Sequence, residues 1–175
     1  MEQVILVDEQ NNQIGVTDKE TVHTKNTPLH RAFSLFLFND KKQLLVTKRA
    51  LSKKTFPGVW TNSVCGHVSP GEETIAAVKR RVHEELQIRV DDIHEVAPYR
   101  YRFADASGIV ENEICPIFIG FTSENPTLEK SEVEEYTWID WEEFLETILN
   151  RPGSYSPWSE EEAFILQRTN PELLE

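Results

Sequence analysis

Cys65 and His67 are separated only by Gly66, and the acidic pair Glu84-Glu85 follows further along the chain. A thiol beside an imidazole suits thiolate or metal chemistry, because a nearby imidazole or metal favours the thiolate. Glu111 and Glu113 form a second group: the two-residue period of a strand puts them, with Cys115, on one face. Two carboxylates side by side on an inward face repel one another and lose hydration unless a cation holds them. On an outward face they are simply solvated, and from the residues alone both readings stand. His23, His30 and His67 each suit an ordinary hydrogen-bonded position when taken singly. Together with Glu111 and Glu113 they make a set of three imidazoles and two carboxylates, suited to a divalent first-row metal such as Mn2+, Fe2+ or Zn2+. Cys115, next to Pro116 and before the apolar Ile117-Phe118-Ile119, reads as a core thiol. Tyr101 and Trp158 read by themselves as packing aromatics.

A third group is cationic. Lys48, Arg49, Lys53 and Lys54 fall within one short stretch and could dock a small, multiply charged anion. The chain as a whole is the opposite, with 30 acidic against 18 basic side chains and a formal net charge of -12. That balance argues against a polyanion-binding surface, so nucleic acid is not an expected partner.

These groups need a scaffold. At 175 residues, 39% of them hydrophobic, the chain can bury one core, and a single domain over 1–175 is expected. The first residues lack a secretion signal and no run reaches membrane-spanning length, which leads to a cytoplasmic, reducing location with two free thiols and no membrane partner.

Val4 to Val7 reads as an edge strand, ended by a turn through Asp8 to Gly15. Pro28 interrupts the interval between His23 and His30 and places both on a loop. Ala32 to Phe38 and Gln43 to Arg49 form a hairpin of buried strands at the centre of a sheet. Cys65 sits in a polar loop with Asn62, Ser63, Gly66 and His67. Through Pro70-Gly71 that loop opens into a helix with Ile75, Val78, Val82 and Leu86 as its apolar stripe. Arg81 and Glu85 lie beside the stripe and Arg80 and Glu84 on the wetter side, so Glu85 is the carboxylate expected to enter a site.

Tyr99 to Phe103 alternates aromatic and basic residues, Asp105 to Gly108 turns, and Ile109 to Phe121 returns as one long strand. Tyr136 to Ile139 is a last short strand. Asp140 with Glu143 then resembles an Asp-led capping box opening a helix through Leu149, which Arg151-Pro152-Gly153 stops. A final helix runs from about Ser159 to Arg168. The fold class expected is α/β or α+β, a mixed central sheet flanked by helices.

The segment 66–88 resembles the Nudix box, whose pattern is Gly, five residues, Glu, seven residues, then Arg-Glu-apolar-any-Glu-Glu-any-Gly-apolar. Gly66, Glu72, Arg80, Val82, Glu84, Glu85 and Ile88 match, while Arg81 replaces a Glu and Gln87 replaces the Gly. Hydrolytic Nudix enzymes use that carboxylate cluster to hold Mg2+ ions that activate water on a diphosphate. Arg81 therefore points to weakened hydrolysis with a cation gained for a diphosphate, and Gln87 to a looser helix end.

Adding Thr-Asn-Ser-Val-Cys65-Gly-His67, Ala50-Leu-Ser-Lys-Lys54 and Ile109-Val-Glu111-Asn-Glu113-Ile-Cys-Pro116, the chain is similar to the type I isopentenyl-diphosphate isomerases. The resemblance implies a Nudix fold and interconversion of isopentenyl and dimethylallyl diphosphates through a tertiary carbocation. It gives Cys65 and Glu113 the proton transfers from opposite sides of the substrate, Tyr101 the hydrogen bond to that glutamate, and Trp158 the support of the cation. It implies that His23, His30, His67, Glu111 and Glu113 bind Mn2+ or another divalent metal such as Zn2+ or Fe2+. Mg2+ would bridge Glu85 and the substrate, with the Cys65 carbonyl as a further ligand, and Lys19, Arg49, Lys53 and Arg81 would meet the diphosphate. The partner implied is a small prenyl diphosphate, the assembly a monomer or weak homodimer. The alternative is a Nudix hydrolase of a nucleoside or prenyl diphosphate; the presence of both Cys65 and Glu113 argues against a silent binding module.

Overall fold

The computed structural model describes residues 2–170. In chain order these form β1 (Gln3–Val7), β2 (Gln13–Asp18), the single turn α1 (Lys19–Val22), β3 (His30–Phe38), β4 (Gln43–Arg49), β5 (Trp60–Thr61), β6 (Val64–His67) and α2 (Thr74–Leu86). They continue with β7 (Ile93–Ala97), β8 (Arg100–Ala104), β9 (Val110–Ile114), β10 (Ile117–Phe121), β11 (Val133–Asp140), α3 (Trp141–Asn150) and α4 (Pro157–Thr169).

The run of Phe, Leu and Ala in β3 makes it the strand on which the others converge. Eight of its nine residues are buried, as expected of a strand covered on both faces. It pairs antiparallel with β4 and β6 and parallel with β9 and β10, so the sheet is mixed. Its side chains divide by the two-residue period. Phe33, Leu35 and Leu37 pack with Val78, Val82 and Leu86 of α2. Phe36 and Phe38 pack with Phe144 and Ile148 of α3 and Ala163 and Leu166 of α4. No helix among the described residues is long and apolar enough to cross a membrane.

Several local expectations change. Val4 to Val7 is not at an edge: β1 pairs with β2 along its length and meets β3 at Leu6–His30, and β2 is the outer strand. His30 is not on a loop but is the fully buried first residue of β3, whereas His23, just past α1, lies outside the regular elements as expected. The Cys65 segment is not a loop either. It is strand β6, registered against β3 through the pair Ser34–Cys65.

Residues 109–121 form two strands, because Pro116 offers no N–H to a ladder and breaks the run; β9 and β10 then pair with different parts of β3. The strand before α3 is longer than expected, Val133–Asp140. Asp140 precedes α3 but its side chain does not cap it, accepting a hydrogen bond from Gln43 Nε2 at 3.1 Å instead. Ile75 is 44% exposed, and Ala77 takes its place on the buried face of α2. At the end of α2, Gln87 adopts the left-handed turn itself, with φ 55° and its N–H donating to the His83 carbonyl at 3.0 Å. The turn is kept where a glycine was expected, at a steric cost of about 1 kcal/mol.

Candidate metal centre and catalytic pocket

Four elements converge on the histidine and glutamate set. His23 directly follows α1, β3 begins at His30, and β6 ends at His67. Strand β9 runs parallel to the start of β3 with Glu113 beside His30, and its alternation brings Glu111 to the same side. One ligand atom from each of the five residues lies within 4.8 Å of all the others. None is more than 9% exposed.

The donor atoms fit a cation better than they fit one another. His30 Nδ1 lies 2.9 Å from the Pro28 carbonyl, to which it must donate, leaving Nε2 with a free lone pair. That Nε2 faces His67 Nε2 and Glu113 Oε1, both at 3.2 Å. His23 Nε2 and Glu111 Oε2 approach to 2.9 Å, yet neither atom has a hydrogen-bond partner. The other oxygens of the two carboxylates are occupied: the Thr55 hydroxyl donates to Glu111 Oε1, and the Tyr101 hydroxyl donates to Glu113 Oε2 at 2.7 Å. Two buried carboxylates and two orphaned buried polar atoms would cost several kcal/mol without a positive charge between them. Burial would raise the Glu113 carboxyl, but the His30 and His67 contacts outweigh it and hold it well below the usual range. Burial drives the His67 imidazole down to about 4, toward its neutral, lone-pair form. The cluster can hold a divalent metal.

A cavity of about 340 Å³ adjoins the cluster and is bordered by Cys65, Tyr101, Glu113 and Trp158. The Cys65 thiol donates to Asn62 Oδ1 at 3.3 Å, and burial pushes it above the usual thiol range. Trp158 stacks on Tyr101 with ring centroids 5.6 Å apart and meets Phe56 edge-on at 5.0 Å. The Arg49 guanidinium lies 5.8 Å from the Trp158 ring and is fixed by the Thr55 carbonyl at 2.8 Å. An aromatic box therefore adjoins a charged wall.

That wall carries the four cations that the resemblance assigns to the diphosphate, Lys19, Arg49, Lys53 and Arg81, together with Lys54 of the basic cluster; Lys48 lies outside it, 3.5 Å from Glu135. Three of the four are already paired with carboxylates. Lys19 meets Glu2 at 2.9 Å, Lys53 meets Glu132 at 2.5 Å, and Arg81 contacts Glu85 at 2.5 Å and Glu132 at 3.2 Å. Gly66 lets Arg81 reach its place, since a Cβ there would lie 2.9 Å from Arg81 Cγ. Glu85 is buried as expected. It does not border the large cavity but a smaller one beside it, with Arg49, Lys53, Cys65 and Glu132. Glu84 is exposed and Arg80 binds Glu72 at 2.8 Å, which ties the loop of the box to its helix. Cys115 is core, packed with Ala32, Tyr101 and Trp158.

Sequence reasoning missed Thr55, Glu2 and Glu132, whose partners are remote in the chain. It also missed Ser34 and Glu162, and read Asn62 only as part of the polar surroundings of Cys65; only the four-residue interval from Trp158 to Glu162 could have drawn attention to the last of these carboxylates.

The NUDIX domain family matches residues 28–159. A crystal structure from Deinococcus radiodurans superimposes with a TM-score of 0.72 at 20% identity, covering 97% of this chain and 99% of that one. The MutT protein from Methanosarcina mazei Go1 superimposes with a TM-score of 0.64 at 24% identity, covering 85% of this chain and 97% of the other. Fold and motif together define a Nudix protein. Among sequence relatives, the isopentenyl-diphosphate Delta-isomerase of Saccharopolyspora erythraea is 48% identical over 159 residues, 90% of this chain and 82% of that one. The enzyme of the same name from Salmonella typhi is 47% identical over 158 residues, covering 90% and 87%. The chain belongs to the isopentenyl-diphosphate Delta-isomerase family.

Proposed function

We propose that this protein isomerises isopentenyl diphosphate to dimethylallyl diphosphate by moving one proton onto the substrate and another off it, with Cys65 and Glu113 as the two proton-transfer groups. The observation that carries the reading is the position of Glu113. One of its oxygens belongs to the His/Glu cluster and the other accepts from Tyr101, in the same cavity as the Cys65 thiol and the Trp158 indole.

An unactivated alkene is a feeble base, so its protonation needs a strong, well-placed acid. In its protonated form Glu113, with Tyr101 as its hydrogen-bond partner, delivers a proton to the terminal alkene carbon; the alkene π pair forms the new C–H bond, and the carboxylate left behind is the form that the His30 and His67 contacts favour. A tertiary cation results on the neighbouring carbon. The Trp158 face stabilises it through its negative quadrupole and offers no nucleophile to capture it. The Cys65 sulfur, in its deprotonated form, then takes a proton from the adjacent methylene, and that C–H pair becomes the internal double bond. Phe56, Tyr101 and Trp158 keep water from the cation, which would otherwise be trapped as an alcohol. In the reverse direction the two groups exchange roles.

His23, His30, His67, Glu111 and Glu113 would hold Mn2+, Zn2+ or Fe2+. A divalent ion there would draw electron density from the Glu113 carboxyl and make its remaining proton more acidic. Lys19, Arg49, Lys53 and Arg81 bind the diphosphate; Mg2+ from solution would serve as its counter-ion, and Glu85 and the Cys65 carbonyl are the protein oxygens that would hold it. Incubation of the purified protein with isopentenyl diphosphate and Mg2+, followed by 31P and 1H NMR, tests the reading. Allylic diphosphate with no inorganic phosphate is the expected product; phosphate or diphosphate release without allylic product sinks it and favours the hydrolase.

A further inference from the structure

Cys65 is tied to a fully buried carboxyl that none of the steps above uses. Glu162, one helical turn beyond Trp158 on α4, has no exposed surface. Its Oε2 lies 2.6 Å from Ser34 Oγ, which in turn lies 3.5 Å from Cys65 Sγ.

The direction of these hydrogen bonds follows from their ends. Asn62 Nδ2 lies 2.9 Å from the Leu35 carbonyl, which can only accept, so this atom is the amide nitrogen; its other hydrogen goes to Ser34 Oγ at 2.8 Å. Ser34 therefore has one hydrogen to give, with Glu162 and Cys65 as the candidates to receive it. Glu162 Oε1 is buried with no hydrogen-bond partner, and no cation pairs with this carboxyl among the described residues. An ionised carboxylate would leave half its charge on an oxygen that nothing solvates, which costs several kcal/mol. A neutral carboxylic acid with its hydrogen on Oε2 avoids that cost and donates to Ser34. Both lone pairs of the Ser34 oxygen are then used, and its hydrogen has only the sulfur left to go to.

We propose that Glu162 is a positioning residue for the isomerisation, a neutral carboxylic acid that donates to Ser34 and thereby aims the Ser34 hydroxyl at the Cys65 sulfur. The proposal rests on the isomerase reading above. A chain of hydrogen bonds running one way reinforces itself, and a hydroxyl aimed at sulfur stabilises it most when it has lost its hydrogen. Glu162 and Trp158 are four apart on one helix face, so the same bond also holds the indole and the thiol at a fixed separation.

Steady-state kinetics on E162Q, E162L and S34A, with metal content and thermal melts for each, test it. The glutamine amide can donate to Ser34 as the acid does, whereas leucine fills similar space and donates nothing. E162L and S34A are expected to lower kcat by about 10- to 100-fold, the value of a hydrogen bond to a charged group. KM should stay within about threefold and metal content should be unchanged. E162Q should recover most of what E162L loses, which a purely space-filling role would not produce. Wild-type kcat in E162L, or a kcat in E162Q as low as that of E162L, overturns the proposal. If E162L does not fold, an unchanged kcat in S34A overturns it equally. A wild-type protein without isomerase turnover would instead overturn the parent reading.

Discussion

Arg81 is the residue that departs most from the Nudix pattern, and its surroundings allow its removal to be predicted in some detail. The guanidinium is 5% exposed and holds Glu85 Oε1 through two contacts, at 2.5 and 3.1 Å, with Glu132 at 3.2 Å. Glu85 is itself 7% exposed, and Lys53 is the other cation acting on it. In Arg81→Met the methylene stem is roughly preserved, but a buried carboxylate loses its main partner. Breaking a buried pair in this way costs about 3–5 kcal/mol, a large part of the roughly 5–15 kcal/mol that stabilises an ordinary domain.

The loss should depend on pH with a definite sign. Burial already raises Glu85, and without the cation that lowers it the folded-state pKa rises further. A carboxyl whose folded pKa lies above its unfolded value destabilises at high pH, so the deficit of Arg81→Met should be largest at neutral pH and shrink as pH falls. Urea unfolding of wild type, R81M, E85Q and R81M/E85Q at two pH values measures this as a double-mutant cycle. Recovery of most of the R81M loss in the double variant is expected. A loss below about 1 kcal/mol at pH 7, within the range of an exposed pair, or no recovery in R81M/E85Q, would refute the reasoning.

Other consequences follow from the same geometry. Cys65→Ala should remove isomerase turnover while leaving metal content and substrate binding largely intact, because the thiol contributes nothing to the His/Glu cluster; unchanged turnover would falsify its assignment. Glu132 is held down to about 2, against a usual 4.5, by Lys53 and Arg81, whose pull exceeds the opposing effect of burial. Its depressed pKa contributes stability that is present above about pH 4.5 and is lost as pH falls toward 2. E132Q should therefore be less stable than wild type at pH 7, by up to about 3 kcal/mol, with the gap closing in acid; a pH-independent gap would count against this. Gln87→Gly should relieve the left-handed strain at the end of α2 and raise the melting temperature by about 2–4 °C; a lower melting temperature would show that the turn is unstrained.

The parts of the molecule legible in the sequence were those with a local signal. The β3–β4 hairpin, the amphipathic α2 and the two-residue period that pairs Glu111 with Glu113 depend on neighbours in the chain, and they stand as read except for Ile75, which is exposed. His30 and the Cys65 segment were misplaced onto loops because their conformation is set by partners far away: β6 is too short and polar to announce itself and exists through its pairing with β3. Pro116, read only as flanking a core cysteine, is what divides β9 from β10. The carboxylates Glu2 and Glu132 carried no local signal and Glu162 only its helical interval from Trp158, since each acquires its meaning from a partner brought in by the tertiary fold. Ligand chemistry grouped His23, His30 and His67 with the strand glutamates, the resemblance gave that set a role, and in the structure one ligand atom of each comes within 4.8 Å of all the others.

The most direct measurement of the central claim is turnover of isopentenyl diphosphate in D2O with the metal-loaded protein, read by 1H and 2H NMR of the allylic product. Proton transfer by two separate groups predicts deuterium in a methyl group of dimethylallyl diphosphate, derived from the former terminal alkene carbon, and none of it in the Cys65→Ala variant. Allylic product formed without solvent deuterium at that carbon, or release of phosphate with no allylic product, would contradict the account.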